Sequence, residues 1–144
     1  MRIVVENLTK TYGTQKAVNN ISFEVKTGEV LGFLGPNGAG KSTTMKIITC
    51  FIAPSNGDIK IGNYSIHTDQ EEIKKRIGYL PENNPLYLDM PVLEYLEYVA
   101  ILQGVPKDKI QNRIIEMVRE TGLNDEKHKK IGELSKGFRQ RVGL

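Results

Sequence analysis

The sequence predicts an α/β fold with a strand-rich first part and a helical second part. Two observations predict it. Up to Leu80, short β-branched or aromatic runs alternate with turn formers, and one segment among them has helical spacing. After Pro81, two amphipathic stripes at helical spacing replace that pattern. Taken in order, Arg2–Glu6 and Ile21–Val25 predict strands, and Thr27-Gly28 punctuates the chain before Val30–Leu34, an apolar run of buried-strand length. Residues 35–40 break that run with glycines and a proline. From Lys41 to Phe51 the apolar positions Met45, Ile48 and Ile52 predict a helix, stopped by the turn formers Ala53-Pro54-Ser55-Asn56-Gly57. Asp58–Ile61 and Ile77–Leu80 predict two further strands.

Pro85 and Pro91 bracket a loop. Val92–Leu102 predicts a helix with Val92, Leu96 and Val99 on one face and Gly104 as its stop. Ile110, Ile114, Met117 and Val118 form the second stripe, closed by Thr121-Gly122. The sequence holds no internal repeat and no low-complexity tract. A chain of 144 residues has room for one domain with a modest core and not for two enzyme domains. With 39% hydrophobic and 26% charged residues it is of ordinary globular composition. The net charge of +3, its basic excess falling after Pro106, is too small to point to a nucleic-acid partner. Cys50 is the only cysteine, which excludes a disulfide framework and a multi-cysteine zinc site. Glu6 interrupts the start too early for a signal peptide, and no apolar run approaches the ~18 residues of a membrane span. These features predict a cytoplasmic chain.

The strongest chemical signal is Gly35-Pro36-Asn37-Gly38-Ala39-Gly40-Lys41-Ser42, which fits G-x-x-x-x-G-K-[ST] at every fixed position. A polyphosphate needs several backbone N–H groups converging on its oxygens. The chain curls that tightly only where Cβ is missing, hence Gly38 and Gly40. The helix that follows adds the positive end of its dipole. Lys41 supplies a mobile charge for the β- and γ-phosphates, and the Ser42 hydroxyl suits Mg²⁺. The motif follows an apolar run and opens an apolar-striped helix, the context that confirms it. It marks a nucleotide phosphate site.

Other segments choose among the families that carry this loop. The chain lacks N-K-x-D and D-x-x-G segments. Upstream stand Thr11-Tyr12-Gly13, Lys16-Ala17-Val18 and Ile21-Ser22-Phe23-Glu24-Val25; near the end comes Leu134-Ser135-Lys136-Gly137-Phe138-Arg139-Gln140-Arg141. With these residues the sequence resembles the nucleotide-binding domain of ABC transporters from Met1 to Leu144, as the N-terminal two-thirds of such a domain. The resemblance implies a P-loop NTPase fold with an N-terminal antiparallel β-subdomain and an inserted α-helical subdomain. Residues 1–84 would be the β-subdomain and P-loop core with the Q-loop, 85–134 the helical subdomain, and 135–144 the signature segment. Its helix would run from Phe138 onward.

The resemblance also implies roles. Tyr12 would stack on adenine with Val18 beside it, and Gly35, Pro36, Asn37, Gly38, Ala39, Gly40, Lys41, Ser42 and Thr43 would hold the phosphates of Mg-ATP. Ser135 and Gly137 would reach the γ-phosphate on the opposite subunit of a dimer, although a serine before a helix is also an ordinary N-cap. Two positions depart from the family pattern. Lys136 and Phe138 stand where L-S-G-G-Q has glycine and glutamine, and Pro81-Glu82 stands where a Pro-Gln pair is usual. Glu82 would bind Mg²⁺ or its water with more charge than an amide. This combination resembles exporter ATPases of the ABC-2 and gliding-motility-associated type.

Hydrolysis in the resembled family uses an apolar strand ending Asp-Glu, a D-loop and a switch histidine. None of these precedes the signature, so no catalytic base is assigned among these residues, and the chain is expected to be a partial domain with exposed core surface. His67 and His128 are expected to be exposed polar side chains, and Asp125-Glu126 to open or cap a short helix. The leading expectation is an ATP-binding subunit, dimeric beneath a membrane permease and peripheral to the inner face of the membrane. The alternatives are a soluble ABC-type ATPase without a permease and a non-hydrolysing nucleotide-binding module. The compact stretch Pro85–Gly122, with no coiled-coil insertion, speaks against a DNA-repair type.

Overall fold

The computed structural model describes all 144 residues, in two compact units, Met1–Tyr79 and Leu80–Leu144. In the first unit a four-stranded antiparallel sheet has the order β2-β1-β3-β4, with β1 Ile3–Tyr12, β2 Gln15–Val25, β3 Asn56–Ile61 and β4 Tyr64–Ser65. Helices α1 (Lys41–Ile48) and α2 (Gln70–Lys74) complete it. Strand β1 is central: Val5 lies opposite Phe23 of β2 and opposite Ile59 of β3. Val5 and Leu8 are both buried although a regular strand would send them to opposite faces. A register shift between them, with Asn7 at φ 50, turns Leu8 back to the core. Asn20 in β2 adopts φ 49 beside it, and the two displaced amides find side-chain partners. Asn7 N–H donates to Ser22 Oγ at 2.8 Å and Asn20 N–H to Thr9 Oγ1 at 3.0 Å. Ile47 from α1, Ile73 from α2, and Ile59, Ile61 and Ile66 close this core.

Both short runs predicted around Arg2–Glu6 and Ile21–Val25 are parts of longer strands, because the bulges let pairing continue past the polar residues. Two other predictions are corrected. Val30–Leu34 and Ile77–Leu80 are not strands. Val30 and Leu34 are 97% and 95% exposed, and only Phe33 finds a partner, with its ring 5.4 Å from that of Phe23. A doubly flanked strand forms when neighbours supply hydrogen bonds on both edges, and these residues have no strand alongside. The expected exposure of apolar surface is present there and at Phe51, 73% exposed.

Helix α1 ends at Ile48, and its buried positions are Thr44 and Ile47; Met45 is largely exposed. The stop comes before the predicted turn formers. Cys50 takes φ 56, its N–H donates to Ile47 O at 2.9 Å, and Phe51 N–H donates to Lys46 O at 2.8 Å, a Schellman termination without glycine.

The second unit holds α3 (Val92–Leu102), α4 (Lys107–Glu120), a 3₁₀ turn at Ile131–Glu133 and α5 (Lys136–Gly143). The α3 bounds agree with the prediction, and Gly104 (φ 71) and Gly122 (φ 66) end α3 and α4 as predicted. Ile110, Ile114 and Val118 of α4 are buried with Val92, Leu123, Ile131, Leu134 and Val142. Val99, predicted to share the buried face of α3, is only half-buried and lines a small apolar cavity. The start of α3 has no side-chain cap; Val92 and Leu93 N–H donate instead to the carbonyls of Lys129 and Lys127. Asp125 and Glu126 lie in the turn that supplies this strap and open no helix; Glu126 pairs with Lys129 at 2.9 Å.

Candidate nucleotide site

Residues 35–40 carry the chain into α1, and the geometry explains the glycines. Gly38 and Gly40 lie at φ 84 and φ 86, the left-handed region that side chains disfavour. Gly40 is also pressed against β2: a Cβ there would collide with the carbonyl oxygen of Ala17 and stand 3.1 Å from Val18 Cγ2. This contact assigns a steric role to Ala17, a residue that the Lys16-Ala17-Val18 motif by itself leaves without one. Val18 is buried in the core under the loop.

Gly40 is the N-cap of α1, and no side chain caps the helix; its first turn contains no acidic residue. The first N–H groups of α1 are therefore left without a side-chain acceptor, with the positive end of the helix dipole unneutralised. Thr44, buried and not foreseen as a site residue, locks the turn. Its N–H and its Oγ1 both donate to Gly40 O, at 2.8 and 3.0 Å. Ala39 N–H donates to Pro36 O at 3.2 Å. Lys41 Nζ folds over the loop, donating to Gly35 O at 2.6 Å and Pro36 O at 2.7 Å. These neutral, exposed acceptors hold the ammonium where an anionic ligand would compete for it successfully. Ser42 is exposed and Thr43 partly so. A cavity of about 380 Å³ opens beside the loop, lined by Lys16, Val18, Asn19, Gly38, Lys41 and Thr44 among others, and no carboxylate lines it.

Tyr12 ends β1, half-exposed, opposite Gln15 across the Gly13 turn, with Lys10 Nζ 5.2 Å from its ring centroid. It presents an aromatic face to solvent.

The remaining predicted residues belong to the second unit. Ser135 is the N-cap of α5, its Oγ accepting from Phe138 N–H at 3.4 Å. The helix starts at Lys136, two residues earlier than predicted, so Gly137 lies in its first turn and Ser135 immediately precedes it. Arg141 stacks over the Phe138 ring at 5.1 Å, and Phe138 packs on the helical core. Glu82 is exposed in the loop before α3, and its carbonyl accepts from Gln140 Nε2 at 2.7 Å. His128 is exposed. His67 is half-exposed as well, but Nε2 lies 2.9 Å from Gly57 O, so its ring helps hold the β3–β4 corner. No helix is long and apolar enough to cross a membrane.

The sequence profile described as ABC transporter matches residues 18–144. The chain is 39% identical over 141 residues to the ABC transporter ATP-binding protein YxlF of Bacillus subtilis, covering 97% of this chain and 46% of that protein. It is 37% identical over 142 residues to the bacitracin transport ATP-binding protein BcrA of Bacillus licheniformis, covering 99% and 45%. Among solved structures it is similar to the ATP-binding cassette MJ0796, a dimer bound to ADP and Pi. The TM-score is 0.83 at 29% identity, over 98% of this chain and 66% of that one. The chain spans about half the length of the curated relatives it matches. A profile match over residues 18–144, a loop built to present backbone N–H groups, and a fold shared with ATP-binding cassettes lead to one assignment: the chain belongs to the ABC transporter family, in its ATP-binding domain.

Proposed function

We propose that this chain binds Mg-ATP through Gly35–Thr43 and, within the protein it belongs to, powers export by a membrane permease. The observation that carries the reading is the start of α1. An uncapped helix N-terminus, a left-handed Gly40 seated under the Ala17 carbonyl, and Lys41 on neutral acceptors together make an anion receptor. Tyr12 stacks on the adenine, with Val18 supporting the loop from below. Ser135 and Gly137 at the start of α5 serve the γ-phosphate of a second subunit in a nucleotide-bound dimer.

The donors suit Mg²⁺. The chain holds no cluster of three or more His, Cys, Asp or Glu groups, whereas Mg²⁺ in such sites takes one or two protein oxygens, phosphates and water. The Ser42 hydroxyl would be one protein oxygen for the ion, and the family resemblance implies the Glu82 carboxylate as another. When bound, the ion neutralises charge on the β- and γ-phosphates. Lys41 leaves the Gly35 and Pro36 carbonyls to add its charge there, and the α1 N–H groups orient the phosphate oxygens.

Export, a permease partner and a place at the inner face of the membrane rest on the resemblance to exporter ATPases, with the bacitracin transport protein among the relatives as support. A second reading is nucleotide capture without hydrolysis. No carboxylate lines the cavity or the first turn of α1 to activate a water molecule. Calorimetric titration with Mg-ATP tests the common part of both readings. Micromolar binding that Lys41→Ala weakens by at least about tenfold supports it, and binding indifferent to Lys41→Ala sinks it. ATP turnover by the protein carrying this segment, with its membrane partner present and absent, then separates a transport ATPase from a capture module.

A further inference from the structure

The loop that carries Glu82 is tied to helix α5 by two contacts, and neither belongs to the nucleotide site. Gln140 Nε2 donates to the carbonyl of Glu82 at 2.7 Å, across 58 residues of sequence. The acceptor is a backbone carbonyl, so only the amide N–H₂ can face it; the chemistry leaves no alternative orientation. One turn on, at i+3 and hence on the same face of α5, Gly143 accommodates Asn84. A Cβ at Gly143 would collide with Asn84 Nδ2 and stand 2.6 Å from Asn84 Cγ and 3.1 Å from Leu80 Cδ1. Asn84 Nδ2 is itself buried without a hydrogen-bond partner, so the loop is held there by shape and by the Gln140 bond and not by its own polar group.

We propose that Gln140 is a positioning residue and that, with Gly143, it straps the Glu82 loop to the helix whose N-cap is Ser135, so that loop and helix move as one body. The functional sense of the strap rests on the nucleotide reading above: it makes any displacement of the Ser135 terminus a displacement of Glu82, and the reverse. Arg139 and Arg141 on the same helix do other work, Arg139 Nε donating to Leu134 O at 2.9 Å and Arg141 stacking on Phe138. Gln140 is free to serve the loop.

The test is made first on the nucleotide-free chain, by backbone relaxation of the Glu82, Asn83 and Asn84 amides and by hydrogen exchange at Leu86, whose N–H donates to Asn84 O at 2.9 Å. Gln140→Glu keeps the shape and loses the donor, so its expected effect is that of Gln140→Ala. The loop order parameters fall from about 0.85 to below about 0.6, while those of α4 and α5 stay unchanged. Exchange at Leu86 becomes about fivefold faster, the factor expected for one net hydrogen bond. Gly143→Ala is the second variant. Alanine is the better helix former, so a merely local role predicts a firmer α5 and an unchanged loop, whereas the strap predicts a loosened loop. Loop order parameters that match the parent in all three variants overturn the proposal. Adding Mg-ATP then separates the two readings. Resonances of the loop and of α5 shift together in the parent and independently in Gln140→Glu if both hold. A parent that binds no Mg-ATP overturns the nucleotide reading, and the nucleotide-free measurement has already decided the strap.

Discussion

Two helix N-termini in this chain are read as phosphate contacts, and they are built in opposite ways. Helix α1 starts from a left-handed glycine, with no side-chain cap and a lysine held by two carbonyls. Helix α5 starts from an extended serine whose Oγ already accepts from Phe138 N–H, over a long 3.4 Å. Neither first turn contains an acidic residue, so the dipole is unopposed at both. The difference lies in what the N–H groups are committed to. At α1 no side chain accepts them, so in the proposed reading the terminus serves a ligand within its own chain. At α5 one N–H has a weak internal partner, which stabilises the helix alone and, in the proposed dimer, would yield to a stronger acceptor brought by another subunit. In the proposed reading the first is a receptor, and the second is a cap that doubles as a contact.

The variant that breaks this contrast most severely is Gly40→Ala. Its Cβ would enter the Ala17 carbonyl, and alanine at φ 86 is strained. A loss of about 2 kcal/mol or more of stability is expected, read from urea denaturation, together with loss of nucleotide binding. Unchanged stability would mean that the loop does not rest on β2.

Lys41→Ala is next and acts differently. Its bonds in the free protein go to exposed carbonyls, so the denaturation midpoint stays close to the parent. Mg-ATP affinity falls by at least about tenfold, the worth of one charge-assisted contact. Tyr12→Ala leaves both termini intact and weakens binding by about 1–3 kcal/mol, equally for ATP and GTP if base stacking is its whole contribution. A strong purine preference that disappears with Tyr12 would show base readout instead.

Ser135→Ala sharpens the comparison at its weak end. It costs about 1 kcal/mol through α5 and leaves Mg-ATP binding by the single chain untouched. Its effect on nucleotide should appear only in the ATP-dependent dimer, measured by sedimentation. A change in the monomer's affinity would place Ser135 at its own chain's nucleotide and end the division of labour between the two termini.

Much of this was legible beforehand where a residue's local chemistry decides its conformation. Gly104 and Gly122 stop their helices because only glycine takes the left-handed position cheaply, and Val92–Leu102 is bounded by Pro91 on one side and Gly104 on the other. Cys50 does the same job at the end of α1 without any such mark, so the apolar spacing overruns the end of that helix. The five-residue α2 and the two-residue β4 are too short to show a periodic pattern in the sequence. Asp125-Glu126 opens no helix, since its turn is shaped by carbonyls turned toward α3. The phosphate loop can be named from residue types at set spacings, and the roles proposed for Tyr12 and Ser135 can be named from the family resemblance. Ala17, Thr44 and Gln140 cannot, because each acts through a backbone atom of a residue distant or silent in sequence.

The division follows from the range of the forces involved. Glycine spacing, helix caps and apolar periodicity act within a few residues, so the phosphate loop, the family resemblance and the ends of α3 and α4 are legible in the sequence. Strand formation depends on who lies alongside: Val30–Leu34 carries every local mark of a buried strand and stays exposed, while β1 runs on through polar residues because β2 and β3 satisfy both its edges. The bulge that brings Val5 and Leu8 to one core, the carbonyl that excludes a side chain at Gly40, and the glutamine that holds the Glu82 loop are decided by contacts between segments far apart in sequence. Only the tertiary structure brings those atoms within range.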